Sequence, residues 1–343
     1  MADVVRGVGG AARLIGGAVK AVGQQVPDEV LRFGRRATGG RSLHDAVAGR
    51  HVMITGATSG IGLAAAMKIG QAGGIALLVA RTPEKLESTR KAIEQAGGEA
   101  HVHRCDLSDT EDIDRMTAEV LERHGHVDVL VNNAGRSIRR SLALSYERFH
   151  DFERTIQLNY LGAVRLILAI VPPMRERRYG QIVNISSIGV QTNTPRFSAY
   201  VASKAALDAF SRCVAPEMMD DNVTITTIHM PLVRTPMIAP TGMYKSFPTL
   251  SPDEAADLIA DAIIHRPKRI GTPLGNLGQM LYAANPKSMD VTLGAAYKLF
   301  PDSAAARGDK KQVGPADPEG EADDDGLTRS ARVFAQMMRG VHW

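Results

Sequence analysis

Thr55-Gly56-Ala57-Thr58-Ser59-Gly60-Ile61-Gly62 is the stretch on which the reading of the fold turns. A short apolar run, His51–Thr55, precedes it, and an Ala-rich run of helical character follows. Glycines between a strand and a helix let the backbone approach a pyrophosphate with no Cβ in the way. The helix that follows presents unpaired N–H groups to the anion. The spacing is T-G-x-x-x-G-x-G rather than the commoner G-x-G-x-x-G. A glycine-rich turn with no ligand is the alternative. The position between a first strand and a first helix favours binding, with Gly56, Thr58, Ser59, Gly60, Ile61 and Gly62 against the phosphates.

Outward from this turn the chain alternates. Ile75–Ala80 is apolar throughout, as a parallel strand covered on both faces is. Residues 82–95 place Leu86, Thr89 and Ile93 on one helical face behind a Thr82-Pro83 start. Further strands are expected at 101–105, 127–131, 181–186 and 223–229, and helices at 109–123, 146–174 and 199–219. This succession predicts an α/β fold of Rossmann type, a doubly wound parallel sheet in a single domain with N- and C-terminal extensions. Such sheets bind ligands at the carboxyl ends of their strands. The expected parts are a Gly/Ala-rich leader (1–48), the compact domain (49–300), an acidic flexible linker (301–326) and an amphipathic C-terminal segment (327–343).

Composition sets the outer limits. The 343 residues are 44% apolar, enough for a substantial core in one domain. A net charge of +4 does not point to nucleic acid. Two cysteines, Cys105 and Cys213, form no disulfide framework and fit a reducing cytoplasm. The best spanning candidate, 158–174, is interrupted by Arg165 and two prolines. Charges at Asp3, Arg6, Arg13 and Lys20 break any secretory pattern.

The second strand reports on the cofactor. An acid about 20 positions beyond the glycines would bind the ribose 2′-hydroxyl of NAD. Here the strand ends Val79-Ala80-Arg81. Ala80 takes the acid's place, and a guanidinium at Arg81 pairs with a 2′-phosphate. NADP(H) is therefore expected, against the alternative that Arg81 is only a solvated charge.

The fourth strand runs into Asn132-Asn133-Ala134-Gly135, and Asn159, Ser187, Tyr200 and Lys204 follow. Tyr200 and Lys204 share a helix face. A free tyrosine, with a pKa of about 10, is a poor base at neutral pH, and a nearby ammonium favours its phenolate. Ser187 ends a strand and is placed to hydrogen-bond a substrate oxygen.

Together with Cys105-Asp106-Leu107 and Tyr200-Val201-Ala202-Ser203-Lys204, these motifs resemble the short-chain dehydrogenase/reductase family over about residues 49–240. The resemblance implies that Tyr200 protonates a carbonyl oxygen and Ser187 orients it. It implies that Lys204 binds the nicotinamide ribose and tunes Tyr200, and that Asn159 holds a relay water. Asp106 would contact the adenine, and Asn133, Ala134, Gly135, Val233 and Thr235 would line the cofactor groove. Members commonly form homo-oligomers. One departure is Pro231-Leu232, where the family often has Pro-Gly.

A narrower resemblance, to bacterial, actinobacterial-type fatty acyl-CoA reductases, rests on several stretches. They are Arg136-Ser137-Ile138-Arg139-Arg140-Ser141, Gln157-Leu158-Asn159-Tyr160, Val190-Gln191-Thr192, Phe247-Pro248-Thr249-Leu250 and the terminal Arg339-Gly340-Val341-His342-Trp343. It implies NADPH-dependent reduction of a fatty acyl-CoA to an aldehyde. The alternatives are a ketone or 3-oxoacyl thioester reductase and, from another class, a non-catalytic cofactor-binding scaffold. Arg139 and Arg140 are expected at the rim, drawing in CoA phosphates or else pairing with Glu147, Asp151 or Glu153. Met237 and Phe247 are expected in a mobile lid over an acyl chain, or simply packed on the domain. The leader and the 327–343 segment are read as amphipathic surfaces for a membrane, a partner or the domain itself. The expected location is cytoplasmic, with peripheral contact at the inner membrane surface.

Overall fold

The computed structural model describes residues 40–238, 249–300 and 302–307. Within them the apolar runs become seven parallel strands. These are β1 (His51–Thr55), β2 (Ile75–Ala80), β3 (Glu99–Arg104), β4 (Val129–Asn132), β5 (Gly180–Ile185), β6 (Val223–Ile228) and β7 (Arg269–Ile270). Their order is β3-β2-β1-β4-β5-β6-β7. The order reverses between β1 and β4, which opens a crevice at the carboxyl ends of those two strands.

Alternation along β1 divides the core. Val52 and Ile54 point to one face, where they meet α1 (Leu43–Val47), α2 (Gly60–Gln71), α3 (Pro83–Gln95) and α9 (Pro252–His265). Met53 points to the other, against α4 (Thr110–His124) and α6 (Gly162–Glu176). A third cluster forms where α7 (Ile188–Thr192) and α8 (Ser198–Glu217) meet α11 (Pro286–Leu299), which follows α10 (Pro273–Ala284). A short turn, α12 (Ala304–Arg307), ends the described chain.

The helix expected at 146–174 is longer and irregular. It comprises α5 (Phe149–Ile156), a π turn at Gln157–Leu161, and α6. By length and composition the continuous helix is apolar enough to cross a membrane. Its apolar residues Leu166, Ile167, Ile170 and Met174 are nevertheless buried in the core of the sheet's second face.

Compact structure begins before residue 49. Ser42 caps α1 with a reciprocal Asp45 bond, and Ala46 and Val47 are buried. Residues 1–39 of the expected leader, the 308–343 tail and Phe247 lie outside the described residues.

Candidate active site

The glycine turn is built as its sequence requires. Gly56 takes φ +67°, a left-handed conformation that suits glycine. A Cβ on Gly62 would stand 2.2 Å from the Gly56 carbonyl oxygen, so α2 packs this closely only with glycine there. Thr55, at the end of β1, fixes the neighbouring loop: its Oγ1 accepts the N–H groups of Asn133 and Ala134, both at 2.9 Å. Asn133 Nδ2 returns a bond to the Thr55 carbonyl at 2.9 Å. Ser59 provides α2 with no side-chain cap, which leaves the N–H groups of its first turn free for an anion.

This turn forms one wall of an open groove of about 180 Å³. Gly56, Ser59, Gly60 and Ile61 lie on it, with Asn133, Ala134 and Gly135 beside them. Val233, Thr235 and Met237 also line it, Thr235 close against Gly60, and Met237 is 47% exposed. Thr58 sits half-buried in the turn itself. At the end of β2, Arg81 is exposed and within electrostatic reach of Asp106, whose Oδ1 accepts the Ser108 N–H at 2.9 Å. Arg136 also faces this corner, and its guanidinium feels burial first, then Arg154 and Arg81. Arg81 and Arg136 thus both lie within electrostatic reach of Asp106. The glycine cradle, uncapped helix and these two guanidinium groups fit a phosphorylated dinucleotide.

At the inner end of the groove four predicted residues converge. Ser187, Asn159, Tyr200 and Lys204 are all buried. Ser187 hydrogen-bonds the Tyr200 phenol and accepts the Gly189 N–H at 3.0 Å. Asn159, on the π turn, accepts the Arg136 N–H at 2.8 Å and donates to the Arg136 carbonyl at 2.8 Å. It also donates to Ser203 Oγ at 2.9 Å, and that hydroxyl donates to the Tyr200 carbonyl at 2.7 Å. Lys204 Nζ donates to the Ile185 carbonyl at 2.7 Å. A small cavity touches Asn132, Asn159 and Lys204 and is otherwise lined largely by Leu107, Leu158, Ala163 and Leu207.

The electrostatics differ from the expectation that Lys204 lowers the Tyr200 pKa. Burial raises the phenol above 10, and the Ser187 bond only partly offsets it. Burial also pushes Lys204 down to about 8, and its ammonium is engaged by Ile185. At neutral pH the phenol carries its proton, as an ordinary tyrosine does.

Of the two expectations for Arg139 and Arg140, Arg140 meets the second, pairing with Asp151. Arg139 is only 9% exposed. Arg140 lies 3.3 Å from Asp151 and bonds the Ala306 carbonyl. Burial alone would raise the Asp151 carboxyl, but Arg148, Arg154 and Arg140 hold it below the usual range. A buried carboxylate needs those cations, and that need fixes Arg140 in place.

Four contributors were missed. Thr55 and Ser203 carry signals only in retrospect, as a hydroxyl ending β1 and one between Tyr200 and Lys204. Arg136 was grouped with its neighbours. Ser186 stands beside Ser187, and its buried Oγ has no hydrogen-bond partner while the residue lines the groove. Leu232, the departure from Pro-Gly, is fully buried against Phe300 and Tyr200 in the third cluster. Its side chain ties the C-terminal helices to the site.

The family model for short chain dehydrogenases matches residues 50–243. A protein of Acinetobacter baylyi named fatty acyl-CoA reductase is 53% identical over 87% of this chain and 96% of its own length. A Mycobacterium tuberculosis protein named an uncharacterized oxidoreductase is 53% identical over 90% of this chain and 88% of its own. Among solved structures, a metagenomic short-chain oxidoreductase in complex with NADP aligns with TM-score 0.56 and 32% identity, over 64% of this chain and 93% of that one. L-Sorbose reductase of Gluconobacter frateurii, complexed with NADPH and L-sorbose, aligns with TM-score 0.61 and 26% identity, over 66% and 95%. Motifs, sheet order and site geometry agree with these likenesses, and the chain belongs to the short-chain dehydrogenase family.

Proposed function

We propose that this protein reduces a fatty acyl-CoA thioester to a fatty aldehyde with NADPH. The observation that carries the reading is the buried phenol of Tyr200, bonded to Ser187 at one end of a groove that the glycine turn also lines. The relative named fatty acyl-CoA reductase supports the choice of substrate.

NADPH, once bound, supplies the hydride to the thioester carbonyl carbon. Gly56, Ser59, Gly60 and Ile61 hold the pyrophosphate, Arg81 and Arg136 the 2′-phosphate, and Asp106 the adenine end. Ser187 orients the carbonyl oxygen and Tyr200 gives it a proton, so the substrate becomes a hemithioacetal. Collapse of that group breaks the carbon–sulfur bond and releases aldehyde and free CoA. Lys204 and Asn159, with the cavity behind them, return a proton to Tyr200. Met237 covers the acyl chain. The enzyme acts in the cytoplasm as a homo-oligomer.

The test follows NADPH oxidation with a long-chain acyl-CoA, a ketone and a 3-oxoacyl thioester, with products identified by mass spectrometry. Aldehyde and free thiol in equal amounts are expected from the acyl-CoA. Tyr200→Phe is expected to lose at least about 100-fold in rate while still binding NADPH. Turnover of only the ketone or the 3-oxoacyl substrate would replace the acyl-CoA reading. NADPH binding without turnover of any substrate would leave a scaffold.

A further inference from the structure

Five of the chain's ten histidines meet on one side of the sheet, away from the groove. His51 opens β1, His126 and Asp128 lie just before β4, His124 ends α4, and His101 and His103 alternate along β3. The ring of His51 lies 5.0 Å from that of His126 and 5.2 Å from that of His124. His124 in turn lies 4.9 Å from His101 and 5.3 Å from His103. No part of the proposed reaction uses them.

The reading of the fold does not require imidazoles here. Histidine is a poor filler for a sheet end, because each ring carries two nitrogens that need partners. Those needs are not met: His51 Nδ1 and His103 Nδ1 are buried without a hydrogen bond. His103 Nε2 and His124 Nε2 face each other at 3.2 Å, so one of them must give up its role as acceptor.

One donor atom each from His51, His126 and Asp128 lies within 4.8 Å of the others. His126 Nε2 stands 3.4 Å from Asp128 Oδ2. Two ligands each about 2.0–2.1 Å from a tetrahedral zinc ion stand about 3.4 Å apart. The carboxylate is fixed in position, because its Oδ1 accepts from Arg177 Nη2 at 2.9 Å and its Oδ2 from the His51 N–H at 3.0 Å. We propose that His51, His126 and Asp128 form a binding site for a divalent transition cation of the zinc class, with its open fourth position toward His124.

Imidazole and carboxylate together suit zinc and its neighbours and do not suit magnesium, which takes oxygen ligands and keeps its waters. Such an ion would join the start of β1 to the segment entering β4, two strands that flank the crevice at their other ends.

The test uses the untagged full-length protein, stripped with chelator and titrated with Zn²⁺ by calorimetry, with thermal unfolding in parallel. One equivalent is expected to bind and to raise the unfolding midpoint by several degrees. His51→Gln and His126→Gln are each expected to weaken binding at least tenfold and to leave NADPH oxidation unchanged. If His51→Gln does not fold, His126→Gln carries the test from its half-exposed position. His101→Gln is expected to bind as the parent does. Unchanged affinity in His126→Gln, loss of binding in His101→Gln, or equal binding of Mg²⁺ would each overturn the assignment.

Discussion

Replacing Lys204 by methionine is expected to make the protein more stable and less active. Burial takes the ammonium from an ordinary 10.5 to about 8. The folded pKa thus lies below the unfolded one, so the unfolded chain binds more protons between those two values. The charged lysine opposes folding in full below pH about 8, and the opposition fades as pH rises toward 10.5. A fall of that size corresponds to about 3 kcal/mol at neutral pH. Methionine removes this cost but also the bond from Lys204 Nζ to the Ile185 carbonyl, which contributes about 1 kcal/mol. The variant should therefore be about 2 kcal/mol more stable at pH 7. Urea unfolding without NADP(H), at pH 7 and again near pH 10, measures it. The advantage should shrink or reverse at the higher pH, because the parent no longer carries the buried charge. A variant less stable than the parent at pH 7, or curves that run parallel across pH, would refute the reasoning.

Arg81→Ala should raise the KM for NADPH by about 10- to 100-fold, the loss of one charge-assisted phosphate contact, and leave the KM for NADH unchanged. Steady-state kinetics with both cofactors decide it, and equal effects on the two would place Arg81 outside the phosphate site. Leu232→Gly empties a fully buried position between Tyr200 and Phe300 and should cost about 2–5 kcal/mol in chemical denaturation. Arg140→Ala should lower the melting temperature, because Asp151 loses one of its counter-charges, and should not change the KM for an acyl-CoA. A raised KM with an unchanged melting temperature would return Arg140 to the substrate.

Much of this architecture is legible from local patterns. The limits of β1 and β2 follow directly from apolar runs bounded by polar or glycine residues, since strands covered on both faces have no polar positions to blur them. Strand β3 begins at Glu99, two residues before its expected start, because backbone pairing to Ile75 continues under an exposed side chain. Helix α9 carried a readable start, Ser251 capping Glu254 with Pro252 between them, and was not expected. Strand β7 has two residues, too few for any periodicity. At the site, Tyr200, Lys204, Ser187 and Asn159 are placed by motif. Their charge states depend on burial, which spacing does not report. The fate of Arg140 shows the same limit: Arg139 and Arg140 read alike in sequence, and only packing brings Arg140, with Arg148 and Arg154, to Asp151.

The π turn at Gln157–Leu161 has a consequence for how this chain tolerates change in length. An α-helix advances about 100° per residue, so a turn holding one extra residue offsets everything before it from everything after it. Asn159 reaches both the Arg136 peptide and Ser203 because of that offset. Deleting one residue here would relax the segment into ordinary helix, a more regular structure, and would swing the amide away from Tyr200. Substitutions of side chains along 157–161 other than Asn159 should be absorbed far more easily than a change in their number. The contacts of Asn159 thus depend on a count of residues as well as on their identities, and gaps in an alignment at this helix would be more informative than mismatches.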